Sequence, residues 1–279
     1  MSNELSSWAG AEGPGHGRHI GKLPDVQLFE MQCGLAHCGW SHPSEFKAYQ
    51  LILVRCGGFL HRHAGVSSFI NATTALYGRL GDEVQVAHPL DYPDRFLAIQ
   101  FVEPPDAGLP AGPITVPDNV DLLHRIVAAA CSTDTDGFEL AANVTSIVGM
   151  LSGRPVQDGR LKRPATAVGH RRMVEAAIEA LLNGGFRLGL AELATLVGAS
   201  PSHLSRVFHR ITGTPLRVYR NQLRVRSVLA KLQDGASSLM DLAMEHGFAD
   251  HSHLDRVVRR HLGRQPSSLR ALLAPNAET

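Results

Sequence analysis

Two six-residue strings carry the side chains best suited to reading another molecule by hydrogen bonds. They are Ser202-His203-Leu204-Ser205-Arg206-Val207 and, 50 residues on, Ser252-His253-Leu254-Asp255-Arg256-Val257. In each, Leu and Val stand three apart, so on a helix they share a buried face and the polar groups share the opposite one. Short polar groups and Arg on one helical face suit the edges of DNA bases in a major groove, which admits one helix. A guanidinium can hold guanine O6 and N7 together, discriminating by about 1–3 kcal/mol. The candidate base-reading residues are therefore Ser202, Ser205 and Arg206 in the first copy, and His251, Ser252, His253, Asp255 and Arg256 in the second. His209 shares the first copy's polar face. Arg259 and Arg260 flank the second set, where they could meet phosphate, a contact that fixes register without reading sequence. Asp255 would repel phosphate but could accept a hydrogen bond from cytosine N4.

The elements that must position these groups are also written twice. Leu190-Ala191-Glu192-Leu193-Ala194-Thr195-Leu196-Val197-Gly198 returns 49 residues later as Leu239-Met240-Asp241-Leu242-Ala243-Met244-Glu245-His246-Gly247. Gly213 returns as Gly263, and Pro215 as Pro266. Each copy predicts a short helix, a turn at Gly198 or Gly247 in the left-handed conformation, and a second helix. Ser200 and Asp250 are the expected N-caps, with Pro201 at the first helical position. Leu204, Val207, Phe208 and Ile211 form the expected buried stripe of the first copy; Leu254, Val257, Val258 and Leu262 form that of the second. The segment Leu216–Gln233 predicts one long helix that would hold the two heads at a fixed spacing, about 34 Å apart if they enter successive major grooves.

Charge divides the chain. Residues 1–159 hold 9 Lys+Arg against 17 Asp+Glu, whereas residues 160–279 hold 18 against 9, although the net charge is only +1. A basic rear half joined to an acidic front half suggests that only the rear meets a polyanion. The front half has the look of a sheet domain. Tyr49–Val54, Val84–His88 and Ala98–Val102 are strand-like, with turns expected at Gly57-Gly58, Tyr77-Gly78 and Gly81-Asp82. A proline-rich connection over 104–117 precedes two helical stretches, one with Leu122, Leu123, Ile126 and Val127, the other with Leu140, Val144, Ile147, Val148 and Leu151. These helices could form a dimer surface or cap the sheet's own core. The fold class is thus α+β: a small N-terminal β-barrel with helices, then an all-α domain. The expected divisions are a flexible leader over 1–22, a sensor and dimerisation domain over 23–151, a linker over 152–170 and a DNA-binding domain over 171–272. No apolar run approaches the ~20 residues that span a bilayer, and the four Cys form no Cys-x-x-Cys pair. The expectation is a cytoplasmic protein with reduced thiols and no membrane partner.

Residues 171–270 resemble the DNA-binding domain of the AraC/XylS transcriptional regulators. The resemblance is carried by Leu242-Ala243-x3-Gly247-Phe248-x3-Ser252-x6-Arg259-x3-Gly263-x2-Pro266-x3-Arg270. It implies two helix-turn-helix units joined by a helix, binding an asymmetric site on double-stranded promoter DNA, with contact to RNA polymerase. The family's base-contacting positions fall on the residues named above. Val258 stands where the family usually has Phe, and Leu269 where it usually has an aromatic, which suggests a lighter core in the second unit. Residues 23–103 resemble more loosely the cupin-like sensor domain that precedes such domains. That implies a small barrel taking an unidentified small-molecule effector, followed by helices that make a homodimer.

Two alternatives come from other chemistry. Metal-binding cupins use a His-x-His, a Glu shortly after and a further His. His61-Arg62-His63 and His88 match in part, but the next acid is Glu83, so no metal or cofactor is expected. A metal-dependent cupin enzyme fused to a DNA-binding domain stands as the alternative. A thiol-based sensor is the other, since His37 and His42 flank Cys33 and Cys38, with Cys56 further on. No phosphate loop or nucleophile elbow occurs, and no catalytic residue is expected: the reading is a non-enzymatic regulator.

Overall fold

The computed structural model describes residues 15–34, 39–63, 65–106, 108–131, 137–155, 164–184, 186–236 and 238–273. The strands are β1 (Gly15–Leu23), β2 (Val26–Cys33), β3 (Ser44–Glu45), β4 (Tyr49–Cys56), β5 (Gly58–His63), β6 (Val66–Asn71), β7 (Thr74–Gly78), β8 (Glu83–Ala87), β9 (Asp94–Phe101) and β10 (Gly112–Thr115). They make one antiparallel sheet in the order β1-β2-β9-β4-β7-β6-β5-β8-β3, with β10 added beside β7. β1 and β3 end the path unpaired with each other, so the small barrel expected takes the form of a curled half-barrel. Both faces are buried, which is why β4 reads as an unbroken apolar run. Leu51, Leu53, Leu97 and Ile99 point to one face; Ile52, Val54, Phe96 and Ala98 point to the other.

The first face is covered by α1 (Asp118–Ala130) and α2 (Gly137–Leu151). Val120 and Val127 of α1, with Leu140, Val144, Ile147, Val148 and Leu151 of α2, join the sheet's core. The structure therefore uses these apolar faces within the chain, as caps on the sheet. Other boundaries also move. β1 takes in residues 15–22 of the expected leader, while residues 1–14 lie outside the described residues. β10 lies inside the proline-rich connection, paired along its length with β7 and on its other side only by a bridge at Ile114 and Pro155 among the described residues, so Pro113 removes a donor at little cost. Tyr77-Gly78 ends a strand instead of turning: a Cβ on Gly78 would lie 2.4 Å from the Phe46 ring, so the glycine gives that ring its place.

The rear half is helical: α3 (Pro164–Asn183), α4 (Leu190–Leu196), α5 (Pro201–Thr212), α6 (Leu216–Gln233), α7 (Leu239–Glu245), α8 (His251–Leu262) and α9 (Pro266–Leu273). Of the expected linker, 164–170 is the first part of α3 and 156–163 lies outside the described residues. Among the described residues no helix is long and apolar enough to cross a membrane.

The halves meet through buried charge. The Arg226 guanidinium of α6 donates to Ala72 O, to Val116 O at 2.7 Å and to Asp118 Oδ1 at 2.9 Å. Arg125 of α1 donates to Asp121 at 3.0 Å, to Arg55 O at 2.9 Å and to Gln233 of α6 at 3.1 Å. Burial would raise the Asp121 acid, but Arg125, Arg226 and His124 hold it far below the ordinary carboxylate range. Arg95 and Asp234 form a two-bond pair at 2.6 and 2.7 Å. At the other end, the Tyr219 hydroxyl of α6 accepts from Thr73 Oγ1 at 2.7 Å and meets Asn71.

Removing one partner of such a network leaves the others buried and unpaired, at about 3–5 kcal/mol. Arg226→Met should lose stability on that scale in urea denaturation. Burial also holds the His61 and His124 imidazoles at about 4, against an ordinary 6.5. At these two imidazoles the unfolded chain binds more protons than the native one between those values. Glu175, its acid raised by burial to about 7, works in the opposite sense. With two imidazoles against one carboxyl, stability should fall as pH drops from 6.5 toward 4. The urea midpoint at pH 7 and pH 5 reads this directly; equal midpoints would contradict it.

Candidate nucleic-acid interface

The two helical hairpins, α4–α5 and α7–α8, repeat in detail. Each short helix has seven residues and each second helix twelve. Residue for residue, α5 and α8 carry the same succession of buried, half-buried and exposed positions. Gly198 and Gly247 take φ of 65° and 71°, the left-handed turn expected of them. Ala199 N–H bonds Ala194 O at 2.8 Å and Phe248 N–H bonds Ala243 O at 2.9 Å, so the two positions correspond. The extra residue in the second loop is therefore Ala249, which explains the change of offset from 49 to 50. Ser200 accepts from His203 N–H at 3.2 Å and Asp250 accepts from His253 N–H at 2.7 Å, both as N-caps. Each helix ends in a left-handed glycine, Gly213 or Gly263. One correspondence differs from the sequence reading: Pro266 opens α9 as Leu216 opens α6, whereas Pro215 is the α6 N-cap.

Of the residues singled out, Ser202, Arg206, His209, His251, Ser252, Arg256, Arg259 and Arg260 are exposed, while Ser205, His253 and Asp255 are half-buried. All lie on α5 or α8, which brings each set onto one helix. Some are already engaged. Arg206 Nε donates to Ser202 O at 3.3 Å, and Arg259 donates to Asp255 at 3.0 Å. His253 Nδ1 lies 3.2 Å from the Ala249 N–H that it accepts, and its ring meets Phe248 edge-on. His253 thus helps close the turn.

The two cores are built differently. In the first unit, Phe208 and Tyr219 pack edge to face with centroids 5.2 Å apart. The corresponding positions in the second are Val258 and Leu269, both fully buried. The second core gains Phe248 where the first has Ala199, and Leu122 and Ile126 of α1 pack against it, so the sheet domain adds apolar surface to this cluster. His261 at the end of α8 also bonds Asp118 at 2.8 Å. Sequence reading missed this junction. Its signal was in α6: Leu223-Arg224-Val225-Arg226 are consecutive and all buried. Arg224 reaches Phe186 O at 2.8 Å and faces the Phe248 ring. These two cations are spent inside the chain rather than offered to phosphate.

The metal and thiol alternatives converge on another place. His61 and His63 are not brought to His88; His63 Nδ1 lies 2.8 Å from Glu83 O. Instead Cys33, His88 and Asp94 cluster, all buried. His88 Nε2 is 3.6 Å from Cys33 Sγ and Nδ1 is 2.9 Å from Asp94 Oδ1. Burial would lower the His88 pKa, but the Asp94 and Cys33 hydrogen bonds raise it to about 10. Tetrahedral zinc needs four ligands. Here Asp94 occupies the imidazole's other nitrogen, leaving Cys33 and His88 as the direct donors of this cluster. His37 and Cys38 lie outside the described residues.

A family model described as a helix-turn-helix domain matches residues 193–271. The chain is 30% identical over 83 residues to the regulatory protein SoxS of Salmonella typhimurium, covering 30% of this chain and 78% of that one. It is 28% identical over 155 residues to the HTH-type transcriptional regulator GlxA of Rhizobium meliloti, covering 54% of this chain and 46% of that one. The chain thus spans about half the length of that relative. A crystal structure of ToxT from Vibrio cholerae aligns over 89% of this chain and 99% of its own, at 11% identity and a TM-score of 0.36.

The caps carry a test of this local architecture. Asp250→Ala and Ser200→Ala should each cost about 0.5–2 kcal/mol in thermal or urea unfolding, the usual worth of a side-chain N-cap. Asp250→Asn, which keeps an acceptor oxygen, should recover most of the loss.

Proposed function

Because the chain belongs to the AraC/XylS family of transcriptional regulators, we propose that it binds a specific, asymmetric DNA site with α5 and α8 in two successive major grooves. The observation that carries this reading is the position-for-position repetition of burial along the two helices, with polar groups on the face left open. Arg206 and Arg256 read guanine edges. Ser202, Ser205, His251 and Ser252 contribute shorter contacts, and His253 and Asp255 act from the rim of the second set. Asp255 holds Arg259 at 3.0 Å, so Arg259 meets phosphate only if that pair rearranges, whereas Arg260 is the better placed of the two. The division of the chain is 15–151 for the sheet domain with α1 and α2, and 164–273 for the reading domain. The sheet domain receives a small-molecule signal and pairs two chains, and the regulator works in the cytoplasm as an activator that touches RNA polymerase, the mode the family suggests. A ligand can act only by binding one arrangement of the domains better than another.

Selection of binding sites from random duplex DNA with the full chain should return a bipartite motif with half-sites about one helical turn apart. A single half-site would reduce one helix to a phosphate grip. On the selected duplex, Arg206→Ala and Arg256→Ala should each cost about 1–3 kcal/mol and relax preference at one base pair. Arg260→Ala should weaken all duplexes alike and lower the slope of log K against log salt by about one unit. Equal weakening on every sequence by the first two variants would make them phosphate contacts and overturn the reading assigned to them.

A further inference from the structure

We propose that the cavity between the sheet and the first helical unit is a binding site for a compact, largely apolar amine, with Glu175 of α3 receiving its ammonium group. The proposal rests on the regulatory reading above and gives its signal a chemical class. The cavity holds about 230 Å³. An apolar cavity of about 150 Å³ takes a benzene ring, so this volume suits one ring with a short side chain. Its walls come from both domains. Val66 and Phe69 of β6 and Val116 beyond β10 face Val174 and Ile178 of α3 and Ile211 of α5. Arg171 and Glu175 on α3 and Tyr219 on α6 are the titratable groups of the lining; the lining residues of β6, β7, β10 and α5 bring none.

Glu175 is the group without an answer. Its Oε1 is buried and has no hydrogen-bond partner. Burial raises its acid to about 7, against the lowering pull of Arg171 and Arg172. Leaving a buried acceptor unmade is costly, and a ligand N–H would satisfy it. Tyr219 does not, since its hydroxyl is engaged by Thr73 and Asn71. An occupant here touches the C-terminal end of α5 and the sheet together. It would therefore fix how the first reading helix stands against the sheet domain, which is the differential contact that a signal needs.

The test is calorimetric titration of the full chain with 2-phenylethylamine, the neutral 2-phenylethanol and the anionic 3-phenylpropanoate. The amine should bind most tightly. Glu175→Gln should weaken it about tenfold or more, as expected for a charged hydrogen bond, and leave 2-phenylethanol unchanged. Retained binding of the alcohol shows that the variant is folded. Amine binding should strengthen from pH 6 to pH 8 with release of protons, because Glu175 must ionise while the amine stays charged. Tighter binding of the acid would make Arg171 the recognition group and overturn the proposal. So would no binding of any probe, or amine binding indifferent to Glu175→Gln and to pH. Anisotropy on the selected duplex separates the two readings. A chain that binds DNA but no probe keeps its regulatory role and loses this site, whereas one that binds the amine but enriches no DNA keeps the site and loses the role.

Discussion

The Arg226 guanidinium is the constraint around which both halves are arranged. A buried cation is tolerable only if its donors are met and a negative charge stands close. Arg226 finds its hydrogen-bond partners outside its own helix, in two backbone carbonyls of the sheet domain and Asp118 at the start of α1, while its Nε faces Asp121 at 3.9 Å without a hydrogen bond. The neighbouring charges follow from it. Asp121 lies between Arg226 and Arg125, and Arg125 in turn reaches Gln233 further along α6. Asp118 is shared with His261 of α8. One polar junction therefore ties sheet, α1, α6 and α8 together. Buried ion pairs are poor sources of net stability, but they are exacting about geometry. A different relative placement of the two halves would leave these buried charges without their partners.

The duplication shows the same dependence from the side of packing. Two copies with matching caps, turns and burial have unequal interiors. Phe208 and Tyr219 fill the first, whereas the second has Val258 and Leu269 at those positions and gains Phe248 where the first has Ala199. Interiors are packed to crystal-like density, so aromatic volume lost at one place is made up at another. Both units also pack on the sheet domain, the second through Leu122 and Ile126 of α1 and the first through Phe69 and Leu90.

Much of this was legible in the sequence, because helical hairpins are local objects. A capping Ser or Asp, a left-handed Gly and a stripe of Leu and Val at helical spacing each report on a few neighbouring residues, and those reports agreed. The substitutions at Val258 and Leu269 suggested a lighter second core, but Phe248 in place of Ala199 offsets them. What packs on that core from outside was hidden, since Leu122 and Ile126 read equally well as a dimer surface or as part of the sheet's own core. The basic count misled in a similar way. Arg224 and Arg226 contribute to the charge of the rear half, but periodicity cannot tell a solvated Arg from one bonded to a carbonyl more than a hundred residues away. The half-barrel was less legible still. Short strands buried on both faces lose the two-residue alternation, and β1 and β10 lie in stretches whose Gly and Pro content argues for loops.

The unequal attachment of the two units limits how a signal could act. Moving the second unit away from the sheet domain would expose Val258 and Leu269 and strand Arg226, Asp118 and Asp121 together. Shifting a two-state equilibrium from 1:99 to 99:1 already needs about 5.5 kcal/mol of differential binding, and a small ligand has little to spare for breaking a buried ion network as well. The first unit is held otherwise. Its contacts to the sheet include the hydroxyl cluster at Tyr219, hydrogen bonds from Asp91 N–H to Asn183 and from the Tyr92 hydroxyl to Leu182 O, apolar side chains such as Phe69 and Leu90, and the walls of a cavity. Small displacements there leave the Arg226 network intact, provided that the buried Arg224 keeps its bond to Phe186 O beyond the end of α3. If the halves move relative to one another, the physical cost directs the motion to α3 and α5, with the second unit travelling as part of the sheet domain.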